Sequence, residues 1–83
     1  MESEPQRELT YGEKAVGLSF NPSGDETVTR VVKTLYANLI DLLDGLKKEA
    51  LEGDEFEKVR LCAIAITEAQ GAQMWAVKAI TWK

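Results

Sequence analysis

Histidine is absent from these 83 residues, and cysteine occurs once, at Cys62. A lone thiol forms no intrachain disulfide, and a structural zinc site wants about four nitrogen or sulfur ligands. No metal and no cofactor is therefore expected. Without histidine, general-base work would fall to Asp, Glu, Lys or Tyr. No apolar run approaches the ~20 residues of a membrane span. The opening MESEPQRE is acidic and polar, unlike a secretory signal. A soluble, cytoplasmic protein without a membrane partner is the expectation. The formal net charge of -4 opposes the broad cationic surface that duplex DNA requires, so no duplex nucleic acid is expected either. A small anionic ligand needs only a few local cations and stays open.

What is present is helical patterning. The length fits one domain, with residues 1–8 as a flexible tail and 9–83 as a single helical unit. Thr10-Tyr11-Gly12-Glu13 fits a capping box, and Gly17 suits the left-handed position that ends a short helix, with Leu18 after it. Asn21-Pro22-Ser23-Gly24 is a turn, because proline fixes φ and its neighbours accept turn geometry. Ser23-Gly24-Asp25-Glu26 is a second capping box, so a long helix should start near Asp25. Along it Val28, Val32, Leu35, Leu39, Leu42 and Leu46 recur in steps of four and three, a heptad seam that Val31, Tyr36, Ile40 and Leu43 widen beyond what one partner helix covers. Gly53 is expected as the left-handed stop, and Asp54 as the N-cap of a second long helix with Glu57 at N3. The fold class is all-α: a short N-terminal helix, then a long antiparallel αα-hairpin.

The second long helix places Phe56, Val59, Ala63, Ile66, Gln70, Gln73, Val77 and Ile80 on one seam. Leu61, Ile64, Met74, Trp75 and Trp82 occupy its other faces, so it is apolar or small nearly all round. Such a helix is buried on several sides, which one hairpin partner cannot provide. A homo-oligomer larger than a dimer follows, with Gly71, Ala72, Ala76 and Ala79 allowing close helix approach. Cys62, in VRLCAIAI, reads as a buried small hydrophobe.

No enzyme signature is found. The acids around Glu49–Glu57 are explained by capping and solvation, and Ser19, Ser23 and Thr10 lack a base partner. The segment TYGEKAVGLSFNPSGD is different. It has particular turn chemistry but looks too small to contribute much core, and such loops usually position something. Tyr11 beside Lys14 is the minimum kit for a nucleobase and its phosphate, but from the pattern alone packing of Tyr11 against a neighbouring helix, with Lys14 solvated, is the better explanation. Gln70 and Gln73 could set oligomer register or line a cavity. Arg60 and Lys78 could snorkel or meet an anion.

LTYGEKAVGLSFNPSGD, then LYANLIDLLD, then RLCAIAITEAQGAQMWAVKAITW together resemble the anti-CBASS cyclic-nucleotide sponges. These are small phage proteins that counter CBASS immunity by sequestering its cyclic oligonucleotide messengers. The resemblance covers about Leu9 to Trp82 and implies a compact homo-hexamer. In it, cyclic dinucleotides such as cyclic GMP-AMP bind between protomers, and some members also hold cyclic trinucleotides. It implies no cleavage. The ligand-binding residues expected here are Tyr11, Gly12, Lys14, Asn21, Pro22, Ser23, Arg30 and Lys33, with Arg60, Gln73 and Lys78 as a possible second pocket. The family's basic residue near the start of the first long helix has no match, since Asp25 and Glu26 stand there. A rival reading is a small helical homo-oligomeric adaptor for a protein partner; it expects a buried Tyr11 and an exposed apolar patch elsewhere.

Overall fold

The structure, a computed structural model, describes residues 8–18 and 26–83. Its helices are α1 (Tyr11–Ala15), α2 (Glu26–Glu52) and α3 (Phe56–Thr81), with no strand among the described residues. The all-α hairpin is as expected. No helix among the described residues is long and apolar enough to cross a membrane. The expected turn at 21–24, the second capping box and most of the N-terminal tail lie outside the described residues.

The ends of α1 follow the sequence closely. The Glu13 amide donates to Thr10 Oγ1 at 3.0 Å, and the Thr10 amide to Glu13 Oε1 at 2.9 Å. That is the predicted capping box. At the other end Gly17 has φ 63°, and the Gly17 and Leu18 amides return to the Lys14 and Glu13 carbonyls. This pair of bonds satisfies two carbonyls that the helix end would otherwise leave open.

The hairpin loop corrects the sequence reading. Asp54, not Gly53, adopts the left-handed conformation, with φ 58°. The Gly53 amide still bonds helically to the Glu49 carbonyl at 3.1 Å, so α2 runs one residue further than expected. The Asp54 amide then reaches the Leu51 carbonyl, and the Glu55 amide the Ala50 carbonyl. Aspartate tolerates this region better than most residues. The N-cap of α3 is consequently Glu55, which makes no side-chain capping bond.

A second correction concerns α2. The heptad seam does not face α3. Thr29, Lys33, Ala37 and Ile40 point inward and are buried, whereas Leu35 and Leu42 are over 60 % exposed. Val28, Leu39 and Leu46 are exposed as well. The reason lies in α1, whose backbone approaches α2 so closely at Gly12 that a Cβ there would overlap the Ala37 carbonyl. Close approach demands a small residue, Ala37, at that point of α2. The missing apolar volume comes instead from Val16 and Leu18, which join Ala37, Ile40, Ile66 and Ala69 in the core. The N-terminal segment thus contributes more core than its sequence suggested. On α3 the seam is largely right: Ile66 and Gln73 are buried, as is the neighbouring Cys62, but Phe56 and Ala63 are exposed.

Candidate functional site

α1 has only five residues, too few to hold a helix in water unaided. Side chains of the hairpin hold it at both ends. The Gly12 amide donates to Asp41 Oδ1 at 2.7 Å, placing a carboxylate at the positive end of the helix. At the far end Lys33 Nζ donates to the Gly17 carbonyl at 2.9 Å, and Gln70 Nε2 reaches the Ala15 carbonyl at 3.4 Å. Gln70 therefore interrupts the apolar stripe to hold α1.

So placed, α1 walls a cleft of about 580 Å³. Lys14, Ala15, Val16 and Gly17 form one side, and Gln73, Met74, Val77, Lys78 and Thr81 of α3 the other, with Lys33 of α2 between them. Among the described residues the lining carries three lysines and no carboxylate, in a chain whose net charge is -4. Lys33 is only 2 % exposed, and desolvation holds its ammonium below the ordinary lysine pKa. An anion entering the cleft would restore its preference for the charged form. Lys78 Nζ sits 5.6 Å from the Trp75 ring centre and 5.7 Å from that of Trp82. Both distances are within cation–π range, so the rings restrain this ammonium.

The predicted residues are only partly gathered. Lys14, Lys33, Gln73 and Lys78 share the cleft, so Gln73 and Lys78 are not separated from the first group as a second pocket. Arg60 is elsewhere. Its guanidinium forks onto Glu57 at 2.6 and 3.1 Å, which holds that carboxyl below its usual pKa and raises the arginine. Arg30 lines a shallow apolar surface with Val31 and Leu35. Tyr11 is 48 % exposed and outside the cleft, and Gly12 is buried against α2. Asn21, Pro22 and Ser23 lie outside the described residues. Thr81, Met74 and Asp41 were missed; nothing in a linear pattern ties Asp41 to an amide 29 residues away.

The family model for the Acb2/Tad1 hairpin domain matches residues 13–81. The chain belongs to that family. The Acb2/Tad1 hairpin proteins are the anti-CBASS cyclic-nucleotide sponges, so the resemblance carried by the sequence motifs holds. No curated protein and no solved structure matches the chain. The matched span contains the cleft lining from Lys14 to Thr81, and so takes in all three lysines.

Proposed function

We propose that this Acb2/Tad1 hairpin protein binds cyclic dinucleotides, cyclic GMP-AMP among them, and sequesters them without cleavage. By lowering free messenger it would suppress CBASS immunity in the host cytoplasm. The observation that carries this reading is the cleft itself, whose described lining has three lysines, a buried amide and no carboxylate. Its volume is in the range of small-molecule sites. Lys14, Lys33 and Lys78 meet the two phosphates, and Gln73 offers an amide to a base edge. Assembly into a hexamer, as the resemblance implies, covers the exposed Leu35, Leu42, Trp75 and Trp82. It also lets the exposed Tyr11 ring approach a base from a neighbouring copy. Cyclic trinucleotides are further candidate cargo.

The test is uptake followed by recovery. The protein is incubated with cyclic GMP-AMP, freed of unbound ligand and denatured, and the released compound is analysed. Intact ligand supports sequestration, cleaved ligand would make the protein an enzyme, and no uptake leaves the adaptor reading, to which the exposed apolar surface would then belong. In calorimetry Lys78→Ala should weaken binding by about 1.5–3 kcal/mol, the range for hydrogen bonds to charged groups. Arg30→Ala should change it far less.

A further inference from the structure

We infer that Asp41 is a positioning residue for the cleft, setting ligand affinity through α1 without touching ligand. This rests on the sequestration reading. Asp41 lines none of the clefts described above, yet its carboxylate accepts the Gly12 amide at 2.7 Å across 29 residues of chain. Gly12 is buried, and the absence of a Cβ lets α1 seat on the Ala37 carbonyl. This side-chain bond ties the hairpin to the N-terminal turn of α1, whereas the Lys33 and Gln70 bonds to the Gly17 and Ala15 carbonyls act at the other end. The first turn of α1 carries Tyr11, and the next residues, Lys14 to Gly17, form one wall of the cleft. Releasing Asp41 frees that wall at its N-terminal end. The hairpin bonds, and with them Lys33, Gln73 and Lys78, stay in place.

Apparent affinity falls by the fraction of molecules in which the wall is correctly placed. The sign separates this from simple electrostatics. Removing a negative charge favours an anionic ligand, yet positioning demands that Asp41→Ala weaken binding. Asp41→Asn makes the same change of charge but keeps a carbonyl oxygen to accept the amide.

Cyclic GMP-AMP binding by calorimetry and amide exchange should therefore be measured on the full-length protein and both variants. Asp41→Ala is expected to bind about tenfold more weakly, as for losing roughly one hydrogen bond to a charged group. It should exchange the Gly12 and Glu13 amides faster while the α2 and α3 amides keep their protection. Asp41→Asn should lie within about threefold of wild type, a neutral hydrogen bond being roughly half as strong. Unchanged or tighter binding by Asp41→Ala, or undisturbed exchange at Gly12, overturns the inference. So does an Asp41→Asn variant as weak as Asp41→Ala. If Asp41→Ala loses protection throughout, Gly12→Ala decides. It displaces α1 with Asp41 intact, and must weaken binding with the hairpin still protected. A wild type that takes up no ligand overturns the sequestration reading, and exchange at Gly12 then still decides whether Asp41 holds α1.

Discussion

The two ends of the hairpin are built on different principles. At the loop end, local rules suffice: a left-handed Asp54, one surface ion pair between Arg60 and Glu57, and another between Lys48 and Asp44. At the α1 end three segments meet, and the contacts are long-range. There three side-chain tethers on the α1 segment, one of them from a buried lysine, and the apolar core lie together with the cleft. Local structure closes the chain, whereas packing among distant segments makes the site. A substitution should therefore cost more at the α1 end than at the loop end.

The largest expected effect is in the core beside α1. Ile40 is fully buried, and Ile40→Ala should cost about 2–5 kcal/mol in denaturant unfolding. A smaller loss would mean that α1 collapses into the cavity. Next is the loop, where the sign reverses. Asp54 at φ 58° is a non-glycine residue in the left-handed region, so Asp54→Gly should raise stability by up to about 1 kcal/mol. Destabilisation by that change would show that the aspartate side chain supports the loop.

Lys33 sharpens the comparison through pH. Its folded pKa is depressed by burial, so over the interval below the ordinary lysine value the unfolded chain binds more protons than the folded one. Stability should therefore rise with pH through that interval. In thermal melts Lys33→Met should flatten the rise, and saturating cyclic GMP-AMP should reduce it by favouring the charged ammonium. The smallest effect is expected at Arg60. Both members of its pair are on the surface, and Arg60→Ala should leave the denaturant midpoint and ligand binding where they were. A clear shift in either would show that the loop end contributes more than local closure.

Legibility in the sequence follows the same division. The capping box at Thr10, the left-handed Gly17 and the helical hairpin are short-range features, and each was readable from a few adjacent residues. The loop was misread by one position because Gly53 and Asp54 both accept the left-handed region. The α2 seam failed for a different reason. Its leucines mark a real apolar face, but periodicity does not say whether α3 or another surface covers it. The inward face, with Thr29, Lys33 and Ala37, is too polar and small to be noticed without knowing that α1 lies against it. Of the eight expected site residues that are described, Lys14, Lys33, Gln73 and Lys78 were brought into the cleft. Arg60 and Arg30 were not, because sequence proximity carries no direction around a helix.

The cleft joins Lys14 near the beginning of the chain to Thr81 near its end, with Lys33 between them. An unfolded chain has no such site, so a messenger held there, as proposed, would count wholly toward the native state. At a free concentration one hundred times its dissociation constant, the cargo would add about 2.7 kcal/mol to the unfolding free energy. The loaded protein would then resist heat and proteases better than the empty one, and its lifetime in the cell would lengthen as messenger accumulates.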